Sequence, residues 1–552
     1  MSGEQSQRRG ILASSAVMAA GTVVSRMSGM VRGVLLTAAL GMGLHADQFT
    51  VANTVPNMLY ILLAGGVFNA VLVPQLVRTM KNDPDGGDAY LNRIVTLALL
   101  FLGAVTVLLV LFAPQVMSVF LNSRWDEPAL AAQRESAVMF ARYCLPQVFF
   151  YGMFVLVGQV LNARGVFGPM MWAPIANNVI SVLVLVAYLV WFGPVSGGLS
   201  DAPYTSAQQA LLGLGSTLGI AAQLAILVPY LRRAGVSFRP QFDFRNTGLG
   251  HTGRLAVWTV LFVIVNQVAY TVVVRLASGG TTNDDGTGYT IYSNAFLIVM
   301  VPHSIITVSL ATAILPALSR HASEGDLEGV ARTLGGAMRT SLAVMVPFAF
   351  LMPVVAGDIA HVLYGHGAGR DAWGLYTLTL GLFGIGILFF TLHYLVLRGF
   401  YAVEDNRTVF FIQCVIACVN IVAAVLLVRE TSAVHTSPAL VGAYITAYAV
   451  GSMLSIQVLR RRLGSVDGYR LVRFLLRTVL AVLPGTLAAW GLTRWLHGLM
   501  PERHWAVSML IGVGAGGVAL ATYLLLAPRF RLREVTDVTD LVLRRVRGRA
   551  RA

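Results

Sequence analysis

Residues 25–33 read SRMSGMVRG, and they lie inside the first long apolar run of the chain, ILASSAVMAAGTVVSRMSGMVRGVLLTAAL at 11–40. A run of this kind is a membrane-spanning helix, because about 20 apolar residues cross the hydrocarbon core. An arginine at the middle of such a helix costs about 2.5–3.5 kcal/mol on insertion scales, and Arg26 sits too deep to reach an interface easily. Two arginines in one span therefore ask for a water-filled cavity or an anionic partner. Arg26 and Arg32 are separated by about 9 Å of rise and roughly 120° of rotation, so a straight helix puts them on different faces. Gly29 and Gly33 offer a bend that would turn both into one cavity.

The same apolar pattern recurs along the chain. Of 552 residues, 56% are hydrophobic and 12% charged, with mean hydropathy +0.71, which excludes an ordinary soluble domain. About fourteen candidate spans centre near residues 25, 63, 103, 149, 181, 219, 266, 304, 342, 386, 418, 449, 482 and 517. The fold class is an all-α integral membrane protein. Cys144, Cys414 and Cys418 all fall in candidate spans and read as small packing residues.

A net charge of +15 would suggest nucleic acid as a partner in a soluble chain, but here its distribution decides. Most of the 40 Lys and Arg residues fall in alternate connections: Arg8 and Arg9, Arg78 to Arg93, Arg164, Arg232 to Arg254, Arg320 to Arg339, Arg398 and Arg407, Arg460 to Arg477, and the tail from Arg529. That asymmetry puts those connections and both termini in the cytoplasm, and no nucleic-acid partner is implied. Arg8 and Arg9 are not read as an export signal, since the following run contains arginines and lacks an evident small-residue cleavage site. The end of the tail has Val535, Val538 and Val546 at helical spacing ahead of a basic cluster. It is either a helix lying on an anionic inner leaflet or a disordered basic end.

The longest inner connection divides the first twelve spans six and six, and RRRLGSVDGYRLVR at 460–473 sets off the last two. The expected organisation is a cytoplasmic N-terminus at 1–10, an N-lobe at 11–232, a linker at 233–254, a C-lobe at 255–462, two extra helices at 463–528 and a basic tail at 529–552. VPNMLYILLAGGVFNAVLVP (55–74) and VPHSIITVSLATAILP (301–316) both open with Val-Pro and close on Pro, a faint internal echo. Secondary transporters are commonly built from such repeats, with a central cavity between two lobes.

Within this frame the polar residues of the spans are the candidates. Arg26 and Arg32 suit an anionic cargo, since a guanidinium forks onto phosphate with two parallel hydrogen bonds. Asp47 either caps the start of the second span or pairs with Arg32 in one transport state. Ser25, Asn57, Arg275 and His303 are further possible cavity-lining residues, although a lone Asn or His in a membrane more often bonds helix to helix. No Walker loop occurs, no acid pair lies at helical spacing within a span, and the histidines are scattered, so neither an enzyme nor a nucleotide-driven pump is expected. No cofactor or metal is implied.

The stretch SRMSGMVRG, followed by ADQF at 46–49, VPN at 55–57, FYAVED at 400–405 and the six-six-two grouping, resembles the MurJ (MviN) family of lipid II flippases, part of a larger exporter superfamily. The resemblance covers essentially the whole chain. It implies two six-helix lobes around a central cavity, and transport of an undecaprenyl-pyrophosphate-linked peptidoglycan precursor to the outer leaflet of a bacterial plasma membrane. It implies that Arg26 and Arg32 meet the pyrophosphate, that Asp47 matches the family's aspartate, and that residues 463–528 shape a groove for the lipid tail. Membrane lipids and cell-wall synthesis proteins are the other implied partners, and sodium or the membrane potential the implied drive. The chain also departs from the family: Tyr60 and Ile61 stand where relatives carry an arginine, and Leu297 and Met300 where they carry Arg and Glu. Arg275 and His303 are candidates to compensate. Two alternatives stay open: a flippase for another polyprenyl-linked glycan or a cation-coupled exporter of the same superfamily, and a non-transporting scaffold of the cell-wall machinery.

Overall fold

The computed structural model describes residues 21, 23–62, 87–196, 201–243, 249–283, 285–464, 468–501 and 504–536. Among them every regular element is helical, and 13 helices are long and apolar enough to cross a membrane. These coincide with thirteen of the expected spans. The other, centred near residue 63, begins in a described helix and continues outside the described residues, as do residues 1–10 and the tail beyond 536.

In chain order the helices are α1 (Val23–Leu40), α2 (Leu44–Ile61), α3 (Asp88–Leu111), α4 (Ala113–Phe120), α5 (Ala131–Cys144), α6 (Gln147–Ala163), α7 (Gly168–Phe192), α8 (Ser206–Ala225), α9 (Leu227–Arg233), α10 (Leu249–Gly280), α11 (Tyr289–Pro302), α12 (Ser309–Ser323), α13 (Leu327–Tyr364), α14 (Tyr376–Ala402), α15 (Asn406–Glu430), α16 (Thr436–Leu463), α17 (Gly468–Leu499) and α18 (Trp505–Leu526). Side-chain caps set several starts. Thr205 and Gln208 form a capping box on α8, Asp326 accepts from the Gly329 N–H at 2.7 Å on α13, and Asp405 accepts from the Thr408 N–H at 3.2 Å on α15. Each meets a backbone donor that the first helical turn leaves without an intrahelical partner.

Two compact units result, one of Met1–Thr290 with Gly367–Gly369, the other of Ile291–His366 with Arg370–Ala552. Lipid tails are as apolar as leucine, so these helices associate through close packing and interhelical hydrogen bonds rather than through water-driven burial. In the first unit, a Cβ on Gly152 of α6 would come 2.5 Å from Leu102 Cδ1 of α3, and one on Gly219 of α8 would come 2.4 Å from Asn177 Oδ1 of α7. Both contacts need the absence of a side chain. Asn178 of α7 donates to the Ser25 carbonyl at 3.0 Å and to Ser28 Oγ at 2.8 Å, fastening α7 to α1. Gln267 of α10 donates to the Met58 carbonyl of α2, so α10 belongs with this unit.

In the second unit, α13 carries α17 and α18 through polar contacts. Asp358, fully buried, meets His497 Nε2 at 3.0 Å. His361 Nδ1 lies 2.8 Å from Ser508 Oγ, the Tyr523 hydroxyl donates to the Ala343 carbonyl at 2.8 Å, and Arg339 pairs with Glu534 at 2.9 Å. Aromatic side chains of α11, α14 and α16, among them Phe296, Phe383 and Tyr444, fill the centre of the same unit.

Candidate functional site

Helix α1 runs as uninterrupted α-helix from residue 23 to 40. Gly29 does not break it; it is buried, and a Cβ there would lie 3.8 Å from Asn178 Nδ2, an ordinary contact distance. The helical pattern runs unbroken through Gly29 and Gly33, and along a regular helix Arg26 and Arg32 fall on separate faces. Arg26 is exposed and Arg32 half-buried. Among the described residues no hydrogen bond or ion pair engages either guanidinium. Ser25 is tied through its carbonyl, which accepts from Asn178 and from Ser28 Oγ.

Arg32 has an aromatic neighbour. The Tyr151 ring of α6 stands within electrostatic reach of its guanidinium, and Tyr60 of α2 stacks on Tyr151 with centroids 4.6 Å apart and planes at 30°. The sequence places these rings together. Asn53, Asn57 and Tyr60 recur at four and three residues and share one face of α2, while Gln147 and Tyr151, four apart, share one face of α6. Gln147 donates to Asn53 Oδ1 at 2.9 Å, which sets the two faces against each other. Asn57 is exposed beside this seam. Neither tyrosine hydroxyl has a hydrogen-bond partner among the described residues.

Asp47 is fully buried and meets a different helix from either one expected. Its carboxylate accepts from the Thr290 N–H at 2.8 Å, Thr290 Oγ1 at 2.6 Å, the Tyr289 N–H at 3.0 Å and Thr281 Oγ1 at 3.0 Å. It thereby caps the start of α11, where free N–H groups and the helix dipole favour an anion. Among the described residues no cation pairs with it in this structure. Gly288 makes the approach possible, since a Cβ there would lie 2.1 Å from Asp47 Oδ2.

The remaining candidates have partners of their own. Arg275, on α10, donates to the Ser118 and Val119 carbonyls, the C-terminal turn of α4. A cation suits that end of a helix dipole. His303 opens a π-helical turn, His303–Val308, directly after Pro302. It is buried, its Nδ1 lies 2.9 Å from Thr391 Oγ1, and the rings of Phe390 and Tyr394 stand 4.9 and 5.2 Å away. Sequence reasoning noted Tyr60 only as a departure and missed Tyr151. The shared-face spacing on α2 and α6 was the signal that could have found them.

Solved structures place this arrangement among known folds. The chain is similar to a structure of lipid II flippase MurJ in an inward closed conformation, at TM-score 0.69 and 15% identity over 93% of this chain and 99% of that one. It is also similar to an inward-facing MATE multidrug-resistance transporter of the MOP superfamily, at TM-score 0.62 and 14% identity over 80% of this chain and 96% of that one. The fold is thus the multi-span helical membrane fold that these structures share. Within it, the family model for lipid II flippase MurJ matches residues 36–510, and the chain belongs to that family. Proteins named "Probable lipid II flippase MurJ" from Vibrio cholerae and Haemophilus influenzae are 28% and 27% identical to it. They cover 96% and 85% of this chain, and the matches take in 98% and 90% of their own lengths.

Proposed function

We propose that this chain is a flippase that carries lipid II, the undecaprenyl-pyrophosphate-linked precursor of peptidoglycan, from the inner to the outer leaflet of a bacterial plasma membrane. Arg32 carries the proposal: a half-buried guanidinium in a membrane span, without a protein partner among the described residues. Such a group is costly unless water or an anionic ligand meets it. Its planar fork matches pyrophosphate oxygens two at a time, and Arg26 adds positive charge on the same helix. Alternating access exposes the head-group site to each side of the membrane in turn, while α17 and α18 guide the polyprenyl tail in lipid. No bond is made or broken, so the activity is transport and not catalysis.

In this reading both termini face the cytoplasm, as the basic connections favour. Asp47 acts as a gate, holding the start of α11 in one state and released in another. Sodium or the membrane potential supplies the drive, and cell-wall synthesis proteins are the partners that consume the cargo.

The test is to deplete the native lipid II flippase of a bacterial host, express this chain, and measure lipid II arriving at the outer leaflet. Restored flipping that Arg32→Ala loses is the expected result. An inserted, folded wild-type chain that flips nothing would overturn the proposal and favour another polyprenyl-linked glycan.

A further inference from the structure

The proposed lipid cargo has a second chemistry besides its pyrophosphate. Its first sugar is bonded through the anomeric carbon directly to a phosphate oxygen, so that ring lies within a few ångströms of whatever grips the pyrophosphate. In this chain the group within electrostatic reach of Arg32 is Tyr151, on whose ring Tyr60 stacks. The axial C–H bonds of a pyranose carry partial positive charge and suit the negative face of an aromatic ring. Tyrosine adds a hydroxyl able to donate to or accept from the sugar's own hydroxyls.

Three features separate this pair from ordinary core packing. Both rings are half-buried, whereas the large aromatics of the core, such as Tyr188, Phe140 and Phe383, are fully buried. Neither hydroxyl has a partner among the described residues, which leaves both able to meet a ligand's hydroxyls. The polar seam of Asn53 and Gln147 leads along the same two helix faces toward the pair, with exposed Asn57 between. Apolar and aromatic walls with a few convergent polar groups are the common make-up of a small-molecule site.

On the basis of the flippase reading above, we infer that Tyr60 and Tyr151 form a carbohydrate subsite beside Arg32, seating the sugar ring bonded to the pyrophosphate. They are positioning and selectivity residues. Arg32 holds the charge common to every polyprenyl pyrophosphate, and the tyrosine pair recognises the presence of a sugar.

The test compares two lipids on the full-length chain in nanodiscs, lipid II and sugar-free undecaprenyl pyrophosphate, by equilibrium binding. Tyr60→Leu and Tyr151→Leu should weaken lipid II binding about tenfold and leave undecaprenyl pyrophosphate within about twofold of wild type. Tyr60→Phe and Tyr151→Phe, which keep the ring, should retain most of the lipid II affinity. Arg32→Ala should weaken both lipids alike. Equal loss of both lipids in the leucine variants would place the tyrosines on the pyrophosphate and overturn the inference, as would leucine variants with unchanged lipid II affinity. Phenylalanine variants as defective as leucine would overturn the stacking role. Should a leucine variant fail to fold, Tyr151→Trp supplies the comparison: a larger ring keeps the preference for lipid II if stacking causes it, and its loss counts against the subsite. A wild type that binds neither lipid overturns the flippase reading itself, a result distinct from all of these.

Discussion

Asp47 and Thr290, 243 residues apart in sequence, are joined twice: one carboxylate oxygen accepts both the Thr290 N–H at 2.8 Å and its hydroxyl at 2.6 Å. The other oxygen takes the Tyr289 N–H and the Thr281 hydroxyl, each at 3.0 Å. The charge is therefore met by the amino end of α11 and by the loop before it, not by an arginine. An anion in that position answers several donors that the first helical turn leaves without intrahelical acceptors.

Replacing Asp47 by alanine takes one acceptor from four donors in a buried place. Each such loss costs about 1–3 kcal/mol, and because the donors act together the expected destabilisation is about 3 kcal/mol or more rather than their sum. Asp47→Asn keeps one acceptor oxygen and should cost less, and Thr290→Val about 1 kcal/mol. Thermal unfolding of the purified protein in detergent orders the three variants. An Asp47→Ala protein as stable as wild type would show that these bonds contribute nothing.

Gly288 has its own consequence. A methyl group there would come 2.1 Å from Asp47 Oδ2, so Gly288→Ala has to displace the carboxylate or the chain around it. The expected cost is about 1–3 kcal/mol, the range for overpacking a tight site. In an Asp47→Ala background the carboxylate clash is gone while the 2.4 Å approach to Thr281 Cγ2 remains, so the same substitution should cost less but still destabilise. A double-mutant cycle measures this directly; full additivity would separate Gly288 from Asp47.

What could be read without coordinates follows the range of the interactions involved. The spans were legible because twenty apolar residues in a row are a local signal, and so was the rule that a membrane asparagine bonds helix to helix, which Asn178 does through Ser25 and Ser28. The partner of Asp47 was not legible, because nothing in ADQF points to a helix start more than 200 residues later. The position of Gly29 beside Asn178 of α7 was equally out of reach, since nothing local to SRMSGMVRG names that partner. Tyr151 was hidden among the aromatics of QVFFYGMF and stands out only once Tyr60 is seen to stack on it.

Arg275 was expected as a substitute cation for those the chain lacks, and its hydrogen bonds give a sharper expectation. It donates to two carbonyls at the C-terminal turn of α4, so Arg275→Ala should cost about 0.5–2 kcal/mol of stability, the range for a cation at a helix C-terminus. Transport per folded molecule should stay close to wild type. A fall in transport with unchanged unfolding temperature would return Arg275 to the cargo site.

Arg32 should show the opposite pattern, which makes the two arginines controls for each other. A guanidinium with no protein partner among the described residues contributes little to the fold, and removing it even relieves a charge from the membrane span. Arg32→Ala should therefore unfold at or above the wild-type temperature while transport falls by about one to two orders of magnitude, the loss expected when one side of a desolvated charge pair is truncated. Arg32→Lys keeps the charge but not the planar fork, so it should recover only part of that loss. Transport and unfolding temperature measured on the same preparations decide the matter. If Arg32→Ala lost stability and transport in proportion, Arg32 would be a structural arginine, and the cargo's anion would have to be sought elsewhere, first at Arg26 on the same helix.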